Sequence, residues 1–309
     1  MKRFSDVADL AVVIPVHNRR TYTVACLEQL RRLEGQAFMV VVVDDGSSDG
    51  TAADLERNHS DVHVLHGDGH LWWSGAVDRG CRFAFERGAS RVLLLNNDTL
   101  EISANLIPEL ERVLTTFGGL AGAVILEDRA PGSREIVAAG GTVDWRDRGL
   151  ELRDGPRHAV EYRYRDEEVE CDWLSGAALA FGREVFESVD GFDARRFPQY
   201  RGDVDFTMRA RAAGYKCVVT YASWVVNDTT DTWINFRRRL TYREFLLGFV
   251  SLRSSYNLRE TVRFAWRHCP KRRLAPHLAL FYLRYAYAFW KTRHRLPPEV
   301  VQPRLDASA

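Results

Sequence analysis

The sequence predicts an α/β fold, a mostly parallel central sheet flanked by helices, followed by a basic helical C-terminal extension. Short apolar, β-branched runs alternate with stretches of helical periodicity from Leu10 to Ile125. The strand-like runs are apolar throughout instead of alternating with polar residues, the pattern of strands covered on both faces. Charge is also partitioned along the chain. Residues 237–295 carry fifteen lysines and arginines against only Glu244 and Glu260, although the whole chain has a net charge of +1.

The elements follow in order. Leu10–Val16 reads as a buried strand, Thr21–Leu33 as a helix, and Phe38–Val43 as a second buried strand. The polar run from Asp44 to Thr51 reads as a turn, with Asp49 or Thr51 available to cap the next helix. Val62–Leu65, Arg91–Leu95 and Leu120–Ile125 are further strands; Ala76–Arg87 and Ala104–Thr116 are helices. Glu135–Trp173 reads as strands and loops. Helices are expected at Arg183–Val189 and Val204–Ala213, with a strand at Lys216–Tyr221. From about Ile234 the pattern is helical, basic and aromatic, which divides the chain into residues 1–233 and 234–309.

Several function classes are excluded. No Gly-x-Gly-x-x-Gly follows the first strand, and there is no Gly-x-x-x-x-Gly-Lys loop or Gly-x-Ser-x-Gly elbow. That disfavours dinucleotide enzymes, P-loop enzymes and serine hydrolases. His59, His63, His66 and His70 span different elements and do not form a metal set. A sugar-phosphate nucleotidyltransferase would need a glycine-rich loop after the first strand, where His17-Asn18-Arg19-Arg20 has no glycine. The five scattered cysteines have neither zinc nor redox spacing and read as reduced thiols. The opening MKRFSDVADL lacks the apolar core of a signal peptide, so a cytoplasmic location is expected, with peripheral attachment to the cytoplasmic membrane face as an option.

Four places can carry chemistry. In parallel sheets ligands bind at the carboxyl ends of the strands. Asp44 and Asp45 lie at one such end, where they serve either a nucleotide or an ordinary Asx turn. Asn97-Asp98 lie at another, where a carboxylate either holds a hard divalent cation or closes a turn. Asp203 and Asp205 open a helix, so each is either a cap-region acid or part of an acid–base pair. Trp72 and Trp73 sit in a Gly-bounded loop, and the favoured reading has one in the core and the other on a ligand.

These segments together resemble the inverting family 2 glycosyltransferases, in particular bacterial rhamnosyltransferase-like members. The resemblance rests on Ala11–Asn18, on Val41–Thr51 and on Leu93–Thr99, a variant of an Asp-x-Asp metal motif. It continues through Trp173–Ala177 with Gly191-Phe192-Asp193, and through Gly202–Phe206 with Arg209 and Gly214. It runs from about Leu10 to Tyr221.

The resemblance implies a GT-A fold and transfer of a sugar, rhamnose in the nearest subgroup, from a nucleoside-diphosphate sugar to a glycan or lipid-linked acceptor. It implies Asp203 as general base, and a divalent metal (Mg or Mn) on Asp98. Pro15, Asn18, Asp44, Asp45, Asp78 and Asn97 would bind the nucleotide sugar. Trp72, Trp73, Trp173 and Asp205 would contact the acceptor or sugar.

Three departures stand out. Asn96-Asn97 replace the first acid of the metal motif, and Gly202 stands where many members have Glu. No histidine follows the late strand, where Trp224–Asp228 stands instead, so no metal ligand is expected from that side. A non-catalytic sugar- or nucleotide-binding protein on the same scaffold is the alternative. The basic tail, with Phe245, Leu246, Phe249 and Leu252 and then Leu278, Phe281, Tyr285 and Phe289 at helical spacing, either packs on the domain or lies on an anionic membrane. No nucleic-acid partner is expected, and oligomeric state is left open.

Overall fold

The computed structural model describes residues 4–33, 37–130, 133–146, 149–152, 168–228, 236 and 239–295. The expected strands and loops between Glu135 and Trp173 therefore lie partly outside the described residues. In chain order the elements are β1 (Leu10–Val16), α1 (Arg20–Arg32), β2 (Met39–Asp44), α2 (Thr51–Asn58), β3 (His63–His66), α3 (Trp72–Glu86), β4 (Arg91–Leu95), β5 (Thr99–Ile102) and α4 (Leu106–Phe117). There follow β6 (Leu120–Ala130), β7 (Ser133–Ala138), β8 (Gly141–Asp144), β9 (Gly149–Leu152), β10 (Glu168–Glu170), β11 (Ala178–Gly182), α5 (Arg183–Ser188), α6 (Gly202–Ala212) and β12 (Cys217–Asn227). The last helices are α7 (Tyr242–Leu247), α8 (Leu258–His268) and α9 (Leu274–Arg295).

The chain forms two compact units. The first comprises Met1–Val143, Leu150–Pro198 and Gly202–Thr229. Its main sheet runs β10-β12-β6-β11-β4-β1-β2-β3, with β5 on β12 and β7 on β6. β3, β2, β1 and β4 are mutually parallel. β11 enters antiparallel between β4 and β6, and β6 is parallel to β12.

Alternate residues of each central strand feed opposite faces, the two-residue period of a strand. Ala11, Val13, Val41 and Val43 pack with Val77, Cys81 and Ala84 of α3 on one face. Val12, Ile14, Val40 and Val42 pack with Leu27 and Leu30 of α1 and Leu110 of α4 on the other. That double coverage is why these strands read as unbroken apolar runs. Gly80 lets α3 approach closely, since a Cβ there would sit 2.5 Å from Val13 Cγ1.

Several boundaries differ from the sequence reading. β5 (Thr99-Leu100-Glu101-Ile102) and β11 were not expected, because four or five residues are too few to establish a period. α3 begins at Trp72, four residues before the expected start. β6 and β12 run on to Ala130 and Asn227.

The second unit comprises Asp144–Gly149, Gln199–Arg201 and Thr230–Ala309. A Thr241/Glu244 capping box starts α7, and the Asn257 side chain caps α8 by accepting from Glu260 N. Its core is aromatic. Phe245 stacks on Phe289 at 4.4 Å and on Tyr285 at 4.8 Å, and Tyr256 stacks on Tyr285 at 4.1 Å. The Tyr285 hydroxyl donates to Phe245 O at 2.9 Å. Tyr285 and Phe289 are buried, and Phe245 and Phe249 pack half-buried against them. Among the described residues no helix is long and apolar enough to cross a membrane.

Glu260 is buried in this unit. Burial pushes its carboxyl up to about 7, against the opposing pull of the Arg201 guanidinium. The folded chain thus holds this proton between about pH 4.5 and 7 where the unfolded chain releases it. The stability this provides is complete below that window and is lost as pH rises through it. Glu260→Gln is expected to raise stability at pH 8 by roughly 2 kcal/mol and to flatten its decline from pH 5 to 8, measured by urea unfolding.

Candidate active site

The loops after the parallel strands are sewn together by side chains. Asp45 is buried, and its Oδ1 accepts from Gly69 N at 2.9 Å while Oδ2 accepts from Trp72 N at 2.9 Å. Asp44 Oδ1 accepts from Ser47 N at 3.0 Å and also from the Ser47 hydroxyl. Asn18 N donates to Ser47 Oγ at 2.7 Å, and Asn18 Oδ1 accepts from Ser48 N at 2.8 Å. His17 Nδ1 donates to Asp45 O at 2.6 Å. Asp49 accepts from Arg20 N and from Thr51 N, so it serves the starts of both α1 and α2. Pro15 is buried within β1 opposite Val43.

Backbone strain is concentrated in the same loops. Asn18, Arg19 and Trp72 all have φ near +60°, a left-handed conformation that side chains disfavour. Such residues persist only where their surroundings over-determine them. The amide of Trp72 is held by Asp45, and Asn18 is bonded through both its amide and its side chain.

At the end of β4 the chain turns through Asn96-Asn97-Asp98. Trp73 Nε1 donates to Asn96 Oδ1 at 3.0 Å. Asn97 is buried and donates to Thr23 Oγ1 of α1 at 3.3 Å. Asp98 Oδ2 accepts from Arg19 Nη1 at 3.3 Å, and Oδ1 accepts from Asn227 Nδ2 at 3.1 Å. Asp228 N donates to Asp98 O at 3.0 Å, and the Asp228 carboxylate accepts from Tyr22 Oη at 2.7 Å.

Burial pushes the Asp98 carboxyl up to about 6; Arg19 opposes the shift and the Asp228 charge adds to it. The corner therefore favours additional positive charge. Asp98 and Asp228, with the Asn227 amide, are hard oxygen donors. A cation that keeps waters and bridges phosphates needs only one or two carboxylates, so the donor set fits such an ion. Among the described residues no group of three or more His, Cys, Asp or Glu stands ready for a metal.

Asp203 lies in the first turn of α6 and is half-buried. Its Oδ2 accepts from Gly176 N at 2.9 Å and its Oδ1 from Val204 N at 2.8 Å. Gly176 also lies under Trp73: a Cβ there would be 2.3 Å from the Trp73 ring and 3.2 Å from Asp203 Cβ. Asp203, Gly176, Trp73, Asn96 and the end of β4 thus form one continuous chain of contacts, and Asp45 ties in the adjoining Trp72.

Comparison with known proteins bears on the family and the fold. The glycosyl transferase family 2 model matches residues 11–117. A polyprenol monophosphomannose synthase of Mycolicibacterium smegmatis is 31% identical over 212 residues, covering 67% of this chain and 74% of that one. The chain belongs to glycosyl transferase family 2. An N-acetylglucosaminyl-diphospho-decaprenol L-rhamnosyltransferase of Mycobacterium tuberculosis is 25% identical over 214 residues, 61% of this chain and 66% of that one. Among solved structures, a mannosyltransferase from Pyrobaculum calidifontis in complex with GDP-Man and Mn2+ superposes with a TM-score of 0.55 at 16% identity, covering 94% of this chain and 76% of that one. The fold of this glycosyltransferase is GT-A.

Four sequence expectations are redirected by the glycosyltransferase structure. Asp205 is fully buried and pairs with Arg209 Nε at 2.8 Å; Arg209 in turn donates to Val189 O and Gly191 O. That pair staples α6 to the turn at Val189–Gly191. Trp173 is buried, with its indole N–H directed to Thr142 O at 3.4 Å. Asp78 accepts from Arg82 Nε at 2.8 Å and from Phe192 N at 3.0 Å, and no contact among the described residues brings it to the Asp98 corner. The segment after the late strand was expected to offer no metal ligand, yet Asn227 and Asp228 flank Asp98.

Arg19, Tyr22, Asn227 and Asp228 were missed by sequence reasoning. Arg19 stands beside Asn18 in the opening motif, which was the available signal. Gly176→Ala is expected to force Trp73 and Asp203 apart, lowering stability by about 1–3 kcal/mol, as overpacking does. Urea unfolding measures that loss.

Proposed function

We propose that this glycosyltransferase inverts the anomeric centre of a nucleoside-diphosphate sugar as it transfers the sugar to a glycan or lipid-linked glycan acceptor. The observation that carries the proposal is the chain of contacts from Asp203 through Gly176 and Trp73 to Asn96, on the loop that bears Asp98.

Asp203 is the proposed base. It takes the proton of an acceptor hydroxyl as that oxygen bonds to the anomeric carbon, and the bond to the diphosphate oxygen breaks on the opposite face. Asp98, with Asp228 beside it, is the proposed holder of a divalent metal (Mg or Mn). When bound, that ion supplies positive charge to the departing diphosphate. Arg19 offers further positive charge there. Asp44, Asp45, Asn18, Pro15 and Asn97 form the proposed floor of the nucleotide pocket. Trp72 is the proposed sugar contact, since Trp73 is held by Asn96.

Rhamnose is the proposed sugar, supported by the subgroup motifs and by the relative named for L-rhamnosyl transfer. Residues 1–233 would carry catalysis. The basic helical region 234–309 would bring the enzyme to an anionic membrane surface on the cytoplasmic side, where a lipid-linked acceptor resides.

A base contributes typically about 10²–10⁴-fold, so Asp203→Asn is expected to lose that much turnover while retaining donor affinity. Titration calorimetry and nucleoside diphosphate release read the two quantities; unchanged turnover removes Asp203 from the role. Asp98→Asn is expected to abolish any stimulation of donor hydrolysis by Mn or Mg. Stimulation that survives the substitution places the metal elsewhere.

A further inference from the structure

The helices α8 and α9 each have two apolar faces, and only one is used inside the second unit. On α8, Thr261, Phe264 and Ala265 are buried, while Leu258, Val262 and Trp266 are 37–59% exposed. On α9, Tyr285 and Phe289 are buried, while Leu283, Tyr287 and Trp290 are 56–66% exposed. Spacings of three and four residues place each exposed set on one stripe of its helix. Both stripes turn away from the buried face.

A sequence regularity accompanies the geometry. Leu258, Val262 and Trp266 are each followed by arginine, at 259, 263 and 267, and Leu283 and Trp290 are followed by Arg284 and Lys291. One residue on is a rotation of about 100°, so a basic row flanks each apolar stripe. Lys271 Nζ also lies over the Trp266 ring, 4.0 Å from its centroid. Of the two acids in residues 239–295, Glu244 caps α7 and Glu260 is buried.

We infer that the outward stripes of α8 and α9 are a docking surface for an anionic lipid bilayer, with leucine, tryptophan and tyrosine seated at the headgroup boundary and the flanking arginines and lysine on lipid phosphates. The occupant follows from the combination. Apolar residues bordered by cations that can reach outward on long stems match a negatively charged interface. A second copy of this surface would bring like charges together, and a nucleic acid offers nothing to the exposed leucines and valine.

The inference deepens the proposal of a lipid-linked acceptor, but it is tested without substrate. Full-length chain is floated with vesicles of phosphatidylcholine alone or with about one-third phosphatidylglycerol, the anionic component that basic residues select. Binding is expected only to the anionic vesicles, weakening as salt is raised to about 0.5 M, where surface charges are screened.

Trp266→Asp with Trp290→Asp is expected to lower partitioning at least about tenfold, since the apolar area that enters the interface is lost. Arg259→Gln with Lys291→Gln is expected to lower it too. Val7→Asp, an exposed apolar position in the other unit, is expected to change nothing. If the aspartate pair fails to fold by circular dichroism, Trp266→Ser with Trp290→Ser replaces it. Failure of the wild-type chain to float, or flotation of the tryptophan variants equal to wild type, overturns the inference. So does a loss of self-association by those variants in sedimentation with flotation unchanged. Donor hydrolysis in the absence of vesicles tests the transferase reading separately.

Discussion

A parallel sheet ends in peptide groups that no neighbouring strand can satisfy, and a buried unpaired N–H costs roughly 1–3 kcal/mol. Here carboxylates and amides answer that demand. Asp45 holds the amides of Gly69 and Trp72, Asp49 those of Arg20 and Thr51, and Asn18 that of Ser48. Each of these bonds crosses from one strand-end loop to another or fixes the start of a helix. The left-handed backbones of Asn18, Arg19 and Trp72 are tolerable only inside such a lattice. The position of Trp73, and through Gly176 that of Asp203, is inherited from it.

The same economy explains where charge collects. β4 delivers Asp98 to a place too buried to hydrate a carboxylate well, which raises its pKa to about 6. Arg19 and the Asn227 amide meet its two oxygens. Asp228 adds a second negative charge beside it. A corner that holds two carboxylates near one guanidinium is left net negative. The charge of the corner is thus set in part by side chains that the motif itself does not include.

Much of this was legible in the sequence where local pattern and global fold agree. β1, β2 and β4 are apolar because both faces are covered, and the polar runs after them mark the functional edge of the sheet. What was not legible depended on long-range placement. β11 is a short apolar segment whose identity as a strand comes from β4 and β6 on either side. Asn227 and Asp228 lie far along the chain from Asp98, and only the extension of β12 beyond Tyr221 brings them to it. In the C-terminal region the spacing of Leu278, Phe281, Tyr285 and Phe289 matches α9, whereas Phe249 and Leu252 lie beyond the end of α7 at Leu247. It did not reveal which stripe faces inward, because α9 carries apolar residues on opposite sides and its moment is partly cancelled.

Asp203 and Asp205 show how helical geometry separates two acids that the sequence presents as a pair. Residues two apart on a helix point to nearly opposite sides. Once Asp203 faces Gly176, Asp205 must turn inward, where an unpaired carboxylate would be prohibitive. Arg209, one turn on, supplies the partner and carries the charge balance out to the carbonyls of Val189 and Gly191. The buried pair fixes the rotation of α6 about its axis, because turning the helix would expose Phe206 and strand Asp205. A fixed rotation is what holds Asp203 toward Gly176, so the buried acid sets the aim of the one proposed to do the chemistry.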